Sequence, residues 1–307
     1  MVSLTHYPCL DRLVHRLLAA WPDHAKYIQR RFGDDDPEFL TRSEEVAALI
    51  MKLLDDRIDE YCQDYIWMST NFNEEQLYFL RNKRYRFSDF ASVFANVYGN
   101  DAYMSRYVHG ILLSQIFWKN HARSIDYFRC HFLATAPAGF NHLEVGPGHG
   151  LFLYFAARHP RAGTVTAWEL SDASIAATRA CLEKFGVSGR VDLIQSDVLK
   201  AEGRREAFDT ILMSEVLEHL ERPDAALETL RLSLKPDGRL LVNIPINSPA
   251  PDHIYLWSSP DEVSAFVRGC GFEIAEAQYF PVTGYTLEAA LARRLGVSCV
   301  LTCRKAG

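Results

Sequence analysis

The spacing of apolar residues changes once along this chain, near residue 138. Before that point the period is helical: Leu10, Leu13, Val14, Leu17, Leu18 and Trp21 recur at three and four, as do Val46, Leu49, Ile50, Leu53 and Leu54, followed by Ile58, Tyr61 and Tyr65. Thr41 with Glu44 predicts a capping box for the second of these helices, and Ser88 a cap for a third through Phe90, Val93, Phe94 and Val97. A fourth helix is expected from Asp101 to about Phe132, with a break near Gly110. Beyond 138 short apolar runs alternate with helical stretches. The expected strands are Asn141 to Val145, Thr164 to Glu169, Val191 to Gln195, Thr210 to Met213 and Arg239 to Ile244, with helices over Leu151 to Ala157, Asp172 to Phe185 and Asp224 to Leu234. Phe272 to Gln278 and Ser298 to Cys303 add a final strand pair around a helix near Leu287 to Leu295. The fold class is therefore α/β: a doubly wound, mostly parallel seven-stranded sheet over residues 138–307, preceded by an α-helical cap over residues 1–137.

Composition narrows the classes of function without choosing among them. The 307 residues are 48% hydrophobic and 23% charged, as in a soluble globular protein. A formal charge of −6 disfavours a nucleic-acid partner, because tracking phosphates requires dense Lys and Arg. No stretch approaches the ~20 apolar residues of a membrane span, so no membrane association is expected. Seven cysteines without a C-x-x-C pair or zinc spacing are expected to be buried thiols, and the expected location is the cytoplasm. No internal repeat or low-complexity tract is present. The loop from Asn247 to Asp252, holding Pro249 and Pro251, is the clearest irregular segment.

The strongest chemical signal is Glu144-Val145-Gly146-Pro147-Gly148-His149-Gly150, placed between a strand and a helix. Glycines there permit left-handed backbone and close approach of a ligand, and the helix that follows offers unpaired N–H groups. The spacing is G-x-G-x-G, with Leu151 where a dinucleotide site would want its third glycine. A carboxylate at 144 would repel a pyrophosphate but suits a ligand bearing an ammonium, and S-adenosylmethionine is such a ligand.

Further motifs follow in order. Glu169 ends the second strand, Ser196-Asp197-Val198 the third, Phe208 to Leu212 forms the fourth, Ser214 to Leu220 reads Ser-Glu-Val-Leu-Glu-His-Leu, and Leu234 to Leu240 turns into the fifth. Together these resemble a class I S-adenosylmethionine-dependent methyltransferase, in the group that holds the ubiquinone and menaquinone biosynthesis methyltransferases, with a Rossmann-like sheet. The resemblance covers about residues 138 to 307. It implies that Gly146, Pro147, Gly148 and Gly150 hold the methionine portion, that Glu144 reaches its ammonium, and that Glu169 accepts from both ribose hydroxyls. It further implies that Asp197 accepts from the adenine amine and Val198 offers its N–H, with Leu170 and Ser214 completing the cofactor set. The helical half matches no family motif. In this superfamily such additions cover the substrate or make a homodimer contact.

The expected reaction is methyl transfer to a small-molecule acceptor, at oxygen by preference, in biosynthesis or secondary metabolism. His219 is the candidate base because histidine is the residue type suited to proton transfer near neutral pH and this one follows the fourth strand; Glu215 is the candidate to orient it. If the segment is helical, Glu215, Glu218 and His219 share one face, and with His253 they form a candidate divalent-metal set suited to Mn²⁺, Fe²⁺ or Zn²⁺. That set resembles the one in metal-dependent O-methyltransferases acting on RNA 2′-hydroxyls, an alternative that the acidic charge disfavours. A second alternative is a catalytically silent binding or regulatory subunit, and an aminopropyl transferase is disfavoured by the Glu215 to Leu220 string. Tyr103, Tyr107, Phe117, Trp118, Tyr127 and Phe128, with Tyr255 and Trp257, are aromatic candidates for an acceptor pocket, although helical spacing assigns most of the first six to core.

Overall fold

The computed structural model describes residues 4–200 and 205–307. The chain divides into two compact units that interleave in sequence: a helical unit of residues 1–126, 247–256 and 280–297, and a sheet unit of residues 127–246, 257–279 and 298–307.

The N-terminal elements are α1 (Pro8–Ala20), α2 (Ala25–Phe32), α3 (Pro37–Leu54), α4 (Ile58–Asn82), α5 (Phe90–Val93), α6 (Asp101–Phe117) and α7 (Lys119–Tyr127). Leu10, Leu13, Val14 and Leu17 of α1 are buried as their spacing requires, as are Val46, Ile50 and Leu54 of α3. The caps differ from those expected. α3 begins five residues earlier, where the Asp36 carboxylate accepts from the Phe39 N–H at 2.8 Å, and Thr41 lies inside the helix, donating to the Pro37 carbonyl. Glu44 caps another helix: its two oxygens accept from the N–H groups of Cys9 and Leu10 in the first turn of α1, at 2.8 and 2.9 Å. Asp89, not Ser88, caps α5. The long fourth helix breaks at Trp118, whose backbone is extended; Gly110 continues through it because its missing side chain admits Met68, whose Sδ would lie 2.7 Å from a Cβ.

The sheet unit holds β1 (Phe140–Val145), α8 (Leu151–Arg158), β2 (Ala162–Glu169), α9 (Asp172–Phe185), β3 (Val191–Gln195), β4 (Phe208–Ser214), α10 (Pro223–Ser233), β5 (Leu234–Ile246), α11 (Pro260–Gly269) and most of β6 (Phe272–Pro281). After α12 (Leu287–Ala292) in the helical unit, β7 (Val297–Lys305) completes a seven-stranded sheet of order β3-β2-β1-β4-β5-β7-β6. β1 pairs in parallel with β2 and β4, β2 with β3, and β4 with β5. Both faces are covered, so Leu143, Ile211, Leu212, Leu241, Val242 and Ile244 form near-continuous apolar runs with almost no exposure. Strand order reverses between β1 and β4, and in such sheets the crevice beyond the carboxyl ends at that point is the ligand site. None of the seven cysteines forms a disulfide. Among the described residues no helix is long and apolar enough to cross a membrane.

Candidate cofactor and active site

The turn after β1 lies at this reversal. Gly146, Gly148 and Gly150 all have left-handed backbones, with φ of +68°, +50° and +69°. Two of the three fill packing needs: a Cβ on Gly146 would fall 2.8 Å from Val216 Cγ2, and one on Gly150 would fall 3.2 Å from Leu182 Cδ2. A Cβ on Gly148 would meet nothing within 4 Å, so this glycine borders open space beside a backbone that only glycine adopts easily. The turn is tied down at its base. Gly146 donates to the Trp168 carbonyl, Gly150 to Pro147, and the buried Thr178 hydroxyl of α9 donates to Gly148 O at 2.7 Å.

Glu144 sits one register position before the end of β1, between Ala167 of β2 and Leu212 of β4. It is only 3% exposed, and its Oε2 has no hydrogen-bond partner among the described residues. Burial pushes its carboxyl well above the usual carboxylate range. A buried, unsatisfied carboxylate costs free energy unless a ligand completes it, and an ammonium is the ligand chemistry that does so. The donor set therefore fits the amino-acid end of S-adenosylmethionine.

The remaining cofactor candidates occupy the next two strand ends. Glu169 accepts from the Leu170 N–H at 2.7 Å through Oε1; burial raises its pKa, and the N–H groups of Leu170 and Ser171 oppose that rise. Leu170 is exposed. Asp197 accepts from the Leu199 N–H at 2.9 Å, and Lys200 Nζ lies 3.1 Å from its other oxygen, while Val198 is buried beside it. Ser214 accepts from Asn243 Nδ2 at 3.1 Å, and Pro147 is buried within the turn.

The segment after β4 is not the helix that the i, i+3, i+4 spacing requires. Glu215 has a left-handed backbone, φ +54°, and only Leu217 to His219 form a single 3₁₀ turn. Glu215 is held from β5 and β7: its N–H donates to Asn243 O, Ser298 Oγ donates to its Oε1 at 3.4 Å, and burial raises its pKa to about 7 against the opposing bonds from Ser298 and Asn243. Glu218 is fully buried, and its Oε1 lies 3.7 Å from Nε2 of the partly exposed His219. His253 belongs to the helical unit, where Nδ1 lies 2.6 Å from the Ser248 carbonyl; donation there leaves Nε2 as the lone-pair nitrogen of the neutral ring.

Among the aromatic candidates, Phe117, Phe128 and Trp257 are core. The Tyr127 hydroxyl donates to Glu276 at 2.7 Å. Tyr107 and Tyr98 donate to the two oxygens of buried Asp252, at 2.8 and 3.2 Å, which explains how the irregular loop after β5 is fixed within the helical unit. Sequence reasoning missed Thr178, Asn243 and Asp252 as organising residues. Each acts through a partner distant in sequence, and no local pattern marks such a pairing.

Residues 143–240 match a family described as a methyltransferase domain. This region is therefore similar to methyltransferase domains. It resembles the quinone-biosynthesis group: 101 residues are 33% identical to the ubiquinone/menaquinone biosynthesis C-methyltransferase of Azotobacter vinelandii, covering 33% of this chain and 40% of that protein. The match thus spans well under half of that relative. A ubiquinone biosynthesis O-methyltransferase from Xanthomonas axonopodis pv. citri is 25% identical over 181 residues, covering 53% of this chain and 74% of the relative. In fold, the chain is similar to the mitomycin 7-O-methyltransferase MmcR, with a TM-score of 0.53 and 13% identity over 85% of this chain and 75% of that one.

Proposed function

We propose that the chain is an enzyme that transfers a methyl group from S-adenosylmethionine to a small-molecule acceptor, at oxygen. The observation that carries this reading is the buried Glu144 carboxylate with one unsatisfied oxygen beside three left-handed glycines at the sheet's reversal point. When bound, S-adenosylmethionine supplies a methyl group on a sulfonium, an electrophile that needs no further activation. Glu144 holds the ammonium, Gly148 leaves room for the methionine chain, and Glu169 and Asp197 take the ribose and adenine. Holding the acceptor in line supplies much of the rate. The bound cofactor would supply the methyl group to the acceptor oxygen, and His219 would take the acceptor's hydroxyl proton on an imidazole nitrogen. The similarity to a ubiquinone biosynthesis O-methyltransferase supports a small-molecule acceptor methylated at oxygen.

The test is isothermal titration with S-adenosylmethionine and S-adenosylhomocysteine, followed by methyl transfer to a panel of phenols. Glu144→Gln should weaken cofactor binding by roughly 10- to 100-fold, as expected for losing a charge-assisted hydrogen bond. No heat with either compound would remove the reading. A second reading, in which Glu218 and His219 help to hold a divalent ion against the acceptor, rests on the 3.7 Å approach of their donor atoms. It requires that EDTA abolish turnover and that Mn²⁺ restore it.

A further inference from the structure

The helical unit contains a cleft of about 1050 Å³ that the methyl-transfer chemistry does not use. Its walls come from α2, the first turns of α7 and the segment 280–286, all within one unit. Four cations line it, Lys26, Arg30, Lys119 and Arg123, against a single carboxylate, Asp34, in a chain whose overall charge is −6. Such a concentration of one sign in a concave site raises the local potential and selects for the opposite charge.

The cations are of two kinds. Lys119 and Arg123 are anchored from behind by Asp35, whose side chain is fully buried and lies 3.3 Å from each, and which also pairs with the buried Arg31. One carboxylate thus faces three cations and leaves that group with excess positive charge. Lys26 and Arg30 are exposed at the mouth and have no ionic or hydrogen-bond partner among the described residues. Arg30 is nevertheless placed by its surroundings. Gly284, at φ +85°, would bring a Cβ within 3.0 Å of Arg30 Cδ, so the guanidinium stem lies along a backbone stripped of its side chain.

The walls are joined to each other. The Thr283 hydroxyl oxygen accepts from the Lys119 N–H and from the Tyr27 hydroxyl, both at 3.0 Å, which fixes α2, α7 and the 280–286 segment around the opening. Preformed geometry of this kind lowers the ordering cost of binding. Beside the cations, Phe280, Pro281 and Tyr285 add an apolar and aromatic wall. The volume lies just above the usual range of small-molecule sites, about 300–1,000 Å³, as an open cleft does.

We propose that this cleft binds a phosphorylated small molecule, with a multiply charged phosphoryl group on Arg30 and Lys26 and an apolar or planar portion against Phe280 and Tyr285. Guanidinium forks match phosphoryl oxygens in geometry, and two cations with no partner among the described residues suit a charge of −2 or more better than a single carboxylate. The proposal is independent of the methyl-transfer reading, since neither the ligand nor its contacts involve the sheet unit.

The experiment is isothermal titration of the full chain, at low salt and with saturating S-adenosylhomocysteine, using pyrophosphate, 4-nitrophenyl phosphate and citrate as probes. Pyrophosphate should bind, 4-nitrophenyl phosphate should bind with less salt sensitivity, and citrate should be weaker than both. Lys26→Glu/Arg30→Glu should weaken pyrophosphate by at least ~10-fold, and Arg30→Gln by a smaller factor, with circular dichroism and S-adenosylhomocysteine binding unchanged. Both side chains are exposed and have no partner among the described residues, so the variants should retain the fold. Absence of pyrophosphate binding, undiminished binding in the charge-reversed variant, or citrate binding as tightly as pyrophosphate would each overturn the proposal.

Discussion

Glu144 shows how a single side chain couples acid–base chemistry to ligand binding. Its folded-state pKa is raised by burial, so in the ligand-free protein the carboxyl stays neutral to higher pH than an ordinary glutamate. Binding a cationic ammonium requires the ionised form and therefore expels a proton. Affinity for S-adenosylmethionine should rise with pH, by up to ~10-fold per unit, until the folded pKa is passed, and the slope should vanish in Glu144→Gln. Calorimetry in buffers of different ionisation enthalpy reads the proton directly. His219→Asn should leave cofactor affinity intact and lower kcat by roughly 10² or more if its ring takes the acceptor's proton; equal kcat would exclude that role. The glycines and Glu144 were legible in the sequence because their function is local, a turn and a carboxylate two residues before it. The surroundings of Glu215 were not, because Ser298 and Asn243 reach it from β7 and β5 and its left-handed backbone breaks the helical spacing on which the expectation rested.

At the scale of elements, strands proved more readable than helix ends. The expected cores of β1 to β5 all fall within the observed strands, because a buried parallel sheet writes itself as short apolar runs. Helix starts depend on one hydrogen bond, and Glu44 supplies its pair to a helix more than 30 residues away in sequence. Glu44→Ala should therefore destabilise the protein by roughly 0.5–2 kcal/mol, whereas Thr41→Ala, expected from the sequence to remove a cap, should change stability by less than about 0.5 kcal/mol. Urea unfolding of the two variants separates the assignments. The place of β7 between β5 and β6 was also hidden, since strand order across the last three strands is set by long-range pairing.

At the scale of the whole molecule, buried titratable groups set opposing pH limits. His142 is fully buried in β1 with its pKa lowered to about 3, and His24 and His149 are lowered to about 4, in each case by burial. A depressed histidine contributes stability that is complete above about pH 6.5 and is lost as pH falls toward its folded value. Glu215, raised to about 7, works in the other direction: its contribution is present below about pH 4.5 and is lost as pH rises to about 7. His142→Leu should flatten the acid limb of a urea-midpoint profile and Glu215→Gln the neutral limb; a profile unchanged in both would show that other groups control it. The division into two units was only half visible in the sequence. The change of period near 138 marks a passage from helices to sheet, but residues 247–256 and 280–297 join the helical unit through contacts such as Tyr107 with Asp252 and Tyr27 with Thr283. The chain passes from one unit to the other five times. On the ribosome, the leading helices must consequently wait for residues 280–297 to emerge before their last partners arrive, and a fragment cut after residue 137 should bind hydrophobic dyes and resist proteolysis poorly. Neither half can be inherited or transplanted by a single break in the gene.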